Sequence, residues 1–192
     1  MPKRSAEYRT ARRAMIAEAA TRVFARDGLR DTSMAEVMRE ASVSAGSFYS
    51  NFDDKADLMR LVTARVLNPR VERLHGLRAE HAVVTPRQAT LALLESLSDG
   101  TAPTALMVEL WSEGSRRSDL RAVVNEVFDR LLVELAEALG PWSESHRSHP
   151  DAATAARAAL GLVQGWVIQT ALGHEIDPAR YLAVLDPDDL ER

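Results

Sequence analysis

The run from Thr32 to Leu58, TSMAEVMREASVSAGSFYSNFDDKADL, leaves little freedom to the chain that carries it. Ser33-Met34-Ala35-Glu36 fits a capping box, in which the Ser33 hydroxyl accepts an orphan amide of the first turn while Glu36 reaches back to the cap amide. A helix is expected from there. Met34, Val37, Met38 and Ala41 recur at helical spacing as one apolar stripe, leaving Ala35, Glu36, Arg39 and Glu40 on the wet side. Ser42-Val43-Ser44 reads as a turn, with Val43 as an apolar peg and Ser44 as the cap of a second helix. In that second helix Ala45, Phe48 and Phe52 are expected to face inward, while Gly46, Ser47, Ser50 and Asn51 are small or polar. Two short helices joined in this way form a helix-turn-helix, and a helix with one anchoring face and one face free of bulk suits a DNA major groove.

The same run resembles the DNA-binding domain of TetR-family transcriptional regulators. The family pattern is a Thr-Thr/Ser start, an Ala-Gly-Val-Ser turn, Gly followed by Ser or Thr, an apolar-Tyr pair, then Phe, Lys and Leu. Here those positions are Thr32 and Ser33, Ala41 with Val43 and Ser44, Gly46 and Ser47, Phe48 and Tyr49, then Phe52, Lys55 and Leu58. The match is detailed over residues 10–60 and architectural beyond. Three positions depart from it. Ser42 stands where Gly is usual, and at positive φ it would carry strain of about 1 kcal/mol. Met38 replaces a small Ala and is expected to spread the two helices. Asn51 replaces the usual His or Tyr before Phe52, which puts one phosphate contact in doubt.

The resemblance implies a DNA site built from Thr32, Ser33, Ser44, Ala45, Gly46, Ser47, Tyr49, Ser50 and Lys55. Ser44, Ala45, Gly46, Ser47 and Ser50 would lie at or near base edges, and Ser33, Tyr49 and Lys55 on phosphates. The chemistry agrees: Gly46 allows close backbone approach, Tyr49 presents a hydroxyl on a rigid stem, and Lys55 is a cation at a helix start, where the helix dipole disfavours it and a phosphate would explain it. Few long polar side chains lie on the recognition helix, so arm contacts and DNA shape are expected to carry much of the specificity.

Charge is divided in the sense this reading needs. The net charge is -4, yet residues 1–60 hold 11 Lys/Arg against 9 Asp/Glu, while residues 61–192 hold 13 against 19. Lys3, Arg4, Arg9, Arg12, Arg13, Arg22, Arg26 and Arg30 face only Glu7, Glu18 and Asp27, a basic arm suited to phosphates or a minor groove. The absence of cysteine excludes disulfides, thiol catalysis and cysteine-ligated zinc. No apolar run approaches the ~20 residues of a membrane span, and MPKRSAEYRTARR lacks the apolar core of a signal peptide, so the cytoplasm is the expected compartment.

The expected fold class is all-α: a three-helix helix-turn-helix domain over residues 1–56, then a helical-bundle ligand-binding and dimerisation domain over 57–192. A first helix from about Arg9 to Asp27 should bury Ile16, Ala19, Ala20, Val23 and Phe24 and stop at Gly28. Asp53 or Asp54 should cap a fourth helix that breaks at Asn68-Pro69. Thr85-Pro86-Arg87-Gln88 opens another, ended by Asp99-Gly100-Thr101-Ala102-Pro103. Further helices are expected from Thr104 to Ser115, from Ser118 or Asp119 to Leu139 with a stop at Gly140-Pro141, and from Asp151 to Leu172. Trp142 to Pro150 reads as a loop, and Asp177-Pro178 caps a short last helix.

The helix from Asp151 to Leu172 is apolar on more than one side, and such a helix must be covered on more than one side. Ala158, Gly161 and Gly165 would let a second copy approach closely. By the same resemblance, the last two long helices of each subunit would form a four-helix dimer interface, here including Leu131, Leu135, Leu162, Val163, Trp166 and Thr170. A two-fold dimer demands a near-palindromic operator. The resemblance also implies a small-molecule inducer pocket, for which Met107, Leu110, Trp111, Phe128 and Trp166 are the candidate walls and His75, His81, Gln164 and His174 the candidate polar anchors. No cofactor or metal is expected.

The rival reading is a helical dimeric small-molecule-binding protein or enzyme whose helix-turn-helix reads no sequence. Glu109 and Glu113 lie one turn apart, and His146 and His149 lie near Asp151. The first pair reads most simply as solvated surface, and the second is a weak metal signal. Without HExxH, a Gly-rich phosphate loop or a nucleophile motif, catalysis is not expected.

Overall fold

A computed structural model describes residues 6–98, 104–145 and 150–183. Among these residues the chain forms nine α-helices and no strand. Helix α1 (Ala6–Asp27) buries Ile16, Ala17, Ala19, Ala20, Val23 and Phe24. It ends at Gly28, which adopts φ +83° and donates its N–H to the Phe24 carbonyl at 3.0 Å, as a left-handed cap does. Helix α2 (Met34–Glu40) opens with both halves of the expected capping box. Ser42 takes φ 52° in the turn, the conformation a glycine would adopt without steric cost.

Helix α3 (Ala45–Tyr49) is capped by Ser44, whose hydroxyl accepts the Ser47 N–H at 3.2 Å. Helix α4 (Lys55–Glu80) is capped by Asp54, which accepts the Asp57 N–H at 2.7 Å. Within the first compact unit α1 packs on α2 and α2 on α3. Val43 is only half-buried, and Ala45 points to solvent rather than inward.

Helices α5 (Pro86–Ser98), α6 (Thr104–Arg116), α7 (Ser118–Ser145), α8 (Ala152–Ala171) and α9 (Pro178–Tyr181) complete the chain. The start of α5 is doubly fixed: the Thr85 N–H donates to Gln88 Oε1 at 2.9 Å and the Gln88 N–H donates to Thr85 Oγ1 at 3.2 Å. Asp151 and Asp177 cap α8 and α9.

Two expected helix breaks do not occur. α4 runs through Pro69, where Arg70, buried, donates to the Val66 carbonyl and to the Ser96 carbonyl, each at 2.7 Å. A proline removes one ladder hydrogen bond; burial of Val71, Leu74 and Leu77 beyond it keeps the chain helical. α7 likewise continues through Pro141 to Ser145, with Leu135, Ala138 and Leu139 buried just before it. The stretch from Trp142 that reads as loop is therefore helical as far as Ser145. The expected stop at 99–103, Lys3 and Arg4 of the basic arm, and His146 and His149 lie outside the described residues.

The chain divides into two compact units. One holds the described residues up to Arg65 together with Glu109–Val124; the other holds Val66–Val108 and the described residues from Asn125 onward. The division at residue 56 expected from the sequence falls in the first turn of α4, and the first compact unit extends past it. In the second unit α5 packs against α8 and α9. Leu93, Leu94 and Leu97 of α5 and Ala156, Ala159, Val163 and Val167 of α8 are buried there.

Candidate nucleic-acid interface

The face that α3 offers is small and sits on a rigid base. Phe48 is buried and stacks on Phe52, with ring centroids 5.4 Å apart, and Tyr49 meets Phe48 edge-on at 5.3 Å. Ala45, Gly46, Tyr49 and Ser50 are exposed, Tyr49 to 58%, and Ser47 is half-buried. A Cβ at Gly46 would meet nothing within 4 Å, so this surface is open to close approach by another backbone. The Ser50 hydroxyl donates to the Ser47 carbonyl at 2.8 Å, and Asn51 Nδ2 donates to the same carbonyl at 2.7 Å. Both side chains are thus directed at their own helix, which leaves Ala45, Gly46 and Tyr49 as the projecting elements.

Arg13 fixes this helix from below. Its guanidinium donates to both carboxylate oxygens of Asp57, at 2.8 and 3.0 Å, and to the Asn51 carbonyl, and it lies 4.4 Å over the Phe52 ring. The bidentate pair holds the Asp57 carboxyl below the usual aspartate range and raises Arg13. One side chain therefore joins α1, the end of α3 and the start of α4. Arg13, counted by the sequence among the arm cations, is a structural residue; Arg22 and Arg26 are similarly paired with Glu18, Asp27 and Glu40. Arg9 and Arg30 remain exposed on the same unit.

Three of the residues implied to touch DNA are placed otherwise. Thr32 is buried and its hydroxyl donates to the Gly28 carbonyl at 2.6 Å, so it closes the α1–α2 turn and is not presented outward. Ser33 is exposed, but its hydroxyl is engaged with Glu36, and the backbone hydrogen bond from Ser33 lowers the Glu36 carboxyl. Lys55 points inward: Nζ donates to the Leu29 carbonyl at 3.4 Å and lies 5.9 Å over the Phe24 ring. Desolvation lowers its pKa, with Arg117 adding to the effect. Ser44, Ala45, Gly46, Ser47, Tyr49 and Ser50 do come together along α3.

The residues expected at a dimer interface divide into two groups. Leu131, Leu135, Val163 and Trp166 are already buried within the chain, and Leu162 and Thr170 are half-buried. The Trp166 indole donates to the Ile176 carbonyl at 3.1 Å, and the Cβ that Gly165 lacks would sit 2.8 Å from the Tyr181 hydroxyl. Gly165 thus makes room for the Tyr181 side chain of its own chain. The uncovered apolar side of α8 runs instead through Gly161, Ile168 and Leu172, with Val133 exposed on α7. Helical spacing cannot separate these two sides in a helix that is apolar on more than one side.

Of the pocket candidates, Leu110 and Trp166 are buried, while Met107, Trp111 and Phe128 are half-buried. None of them lines the open cleft of about 490 Å³ in the first unit, which is bounded by the end of α1 and by Glu109, Ser112, Glu113 and Arg116 of α6. His75 is paired with Glu134 at 2.6 Å. Glu109, read from the sequence as solvated surface, accepts the Leu29 N–H. No helix among the described residues is long and apolar enough to cross a membrane, and none of their His, Asp and Glu side chains form a group of three that could hold a metal.

A profile of the bacterial regulatory proteins of the tetR family matches residues 16–62, and one of the C-terminal part of BetI-type transcriptional repressors matches residues 85–187. The HTH-type transcriptional regulator HbdR of Aromatoleum sp. (strain CIB) is 30% identical over 167 residues, which are 73% of this chain and 72% of that protein. Reduced NemR of E. coli superposes with a TM-score of 0.70 at 20% identity, over 91% of this chain and 96% of its own. FadR of Bacillus subtilis in complex with stearoyl-CoA gives 0.67 at 21%, over 86% and 91%. The chain belongs to the TetR family of transcriptional regulators, and it is a helix-turn-helix DNA-binding protein.

Proposed function

We propose that the chain works as a two-fold dimer that occupies a near-palindromic operator and represses transcription until a small molecule binds. The observation that carries the DNA half of this reading is the exposed face of α3, where Ala45, open Gly46 and Tyr49 project from a base locked by Phe48, Phe52 and Arg13. Such a face enters a major groove closely, Ala45 and Gly46 toward base edges and Tyr49 toward a phosphate. In this reading residues 1–56 carry recognition, and residues 57–192 carry ligand binding and dimerisation, in the cytoplasm.

The dimer is supported by the uncovered apolar side of α8. Gly161, Ile168 and Leu172 recur on one face of that helix, and an apolar stripe of this kind is stable when a second copy covers it. Two α3 helices related by a two-fold axis then read half-sites one helical turn apart or a multiple of it. Repression is supported by the match of residues 85–187 to BetI-type repressors. The small molecule would bind within residues 57–192 and favour an arrangement whose reading helices are misplaced for the operator.

The test is a gel-shift titration of the purified protein against the DNA upstream of its own gene, at two salt concentrations with a random duplex as competitor. Specific, salt-sensitive binding by a dimer is expected. Equal affinity for random DNA there and in a genome-wide site selection would overturn the reading.

A further inference from the structure

The turn between α1 and α2 is held by its backbone from two sides. Leu29 is buried, its N–H donates to the Glu109 carboxylate on α6, and its carbonyl accepts from Lys55 Nζ at the start of α4. Gly28 beside it stands at φ +83°, and a Cβ there would lie 3.3 Å from Glu109 Oε1, so the carboxylate is seated directly against the turn. The Thr32 hydroxyl ties the far end of the turn to the Gly28 carbonyl, and the next residue, Ser33, caps α2. One residue, held through both its N–H and its carbonyl, thus fixes where α2 begins and, through the packing of α2 on α3, where α3 lies.

We propose that Glu109 and Lys55 are positioning residues for DNA recognition, which hold the Leu29 backbone on either side of its Cα and thereby set the presentation of α3. The proposal rests on the DNA-binding reading above, and it assigns Lys55 a partner inside the protein in place of a phosphate. Glu109 carries the sharper consequence. By charge alone, a carboxylate on a DNA-binding unit repels phosphates, and its removal should tighten binding to any duplex. A clamp makes the opposite demand: what matters is an acceptor oxygen at the reach of a Glu side chain.

Two near-isosteric changes separate these effects in the full-length protein. Glu109→Gln keeps an acceptor oxygen at the same reach and loses the charge; Glu109→Asp keeps the charge and loses the reach. The probe is a duplex selected from a random pool by the wild-type protein. Glu109→Gln is expected to bind it within about threefold of wild type, and Glu109→Asp about tenfold more weakly, the scale of one lost charge-assisted hydrogen bond. The Leu29 amide should exchange with solvent roughly tenfold faster in Glu109→Asp than in either other protein. Asp at wild-type affinity, or Gln as weak as Asp, would overturn the clamp.

Lys55→Met tests the other side. Affinity should fall while the dependence of log affinity on log salt keeps its slope, because no phosphate contact is lost; a slope smaller by about 0.9 would return Lys55 to the phosphates and overturn its assignment. Should the wild type select no duplex at all, the DNA-binding reading itself fails. Leu29 exchange then decides the clamp alone, and equal rates in the three proteins would overturn it.

Discussion

In the unit that carries α1 to α3, polar groups hold the fold at named points: the Ser33–Glu36 box, Ser44 on α3, Arg13 on Asp57, Glu109 and Lys55 on Leu29. In the other unit α5, α8 and α9 meet chiefly through apolar side chains, and the His75–Glu134 hydrogen bond and the Arg78–Glu137 ion pair lie at its surface, where such pairs contribute little. The difference teaches what each unit tolerates. A hydrogen bond with a fixed donor and acceptor admits one register, so the geometry of α3 is over-determined. Apolar packing accepts many arrangements of similar energy, so one helix such as α8 can form a core on one side and leave the other for a partner.

The largest effects should come from two residues of the second unit that the sequence does not distinguish. Leu135 is fully buried in its own chain, so Leu135→Ala should cost about 3 kcal/mol of stability with little effect on the dimer that remains folded. Leu172 is 73% exposed, so Leu172→Asp should leave the monomer's melting temperature nearly unchanged and weaken dimerisation by about a hundredfold, as an unpaired charge in an interface core does. Thermal melts beside sedimentation analysis read both quantities. A Leu172→Asp protein that stays dimeric would move the interface off α8.

A smaller effect is expected where the first unit is tied together. Arg13→Ala removes a bidentate ion pair, a bond to the Asn51 carbonyl and a cation over Phe52, and should cost roughly 2 kcal/mol, followed by thermal or denaturant unfolding. The same pair gives an acid dependence whose sign is fixed. The folded-state pKa of Asp57 is lowered, chiefly by the hydrogen bond from Arg13, so its contribution is complete above the ordinary aspartate range and is lost as the pH falls through the lowered value. Asp57→Asn should flatten that part of the stability profile. An unchanged profile would mean that the pair is matched in the unfolded chain.

The contrast between the units also explains what could be read in advance. The capping box, the Ser44 cap, the Gly28 stop, the Thr85–Gln88 start and the Asp177 cap were all legible, because each is a local exchange between residues a few positions apart. Pro69 and Pro141 misled for the converse reason. Their local cost is real, and burial on either side, which sequence spacing does not weigh, exceeds it. Arg13 and Glu109 were misread as arm cation and solvated surface, since their partners lie 44 and 80 positions away. Leu135 and Leu172 both stand in apolar stripes, and no pattern in one chain tells a core stripe from a partner stripe.

The smallest effect is the most local, and it sharpens the comparison within the first unit itself. Ser42 and Gly28 both adopt positive φ, at 52° and 83°, one in an exposed turn and the other beneath Glu109. Ser42→Gly relieves the contact between Cβ and backbone at the cost of greater freedom in the unfolded chain, and should stabilise by about 0.5 to 1 kcal/mol. Its affinity for DNA should not change, because the turn is already closed by the Ser42 N–H on the Arg39 carbonyl and the Val43 N–H on the Met38 carbonyl. Gly28→Ala should lose a similar amount of stability by the same argument run backwards. It should also lose affinity, because the new Cβ crowds the carboxylate that holds Leu29. If both changes altered stability alone, the turn after α1 would be a passive link like the turn after α2, and the position of α3 would be fixed by Arg13 and the phenylalanines without help from α6.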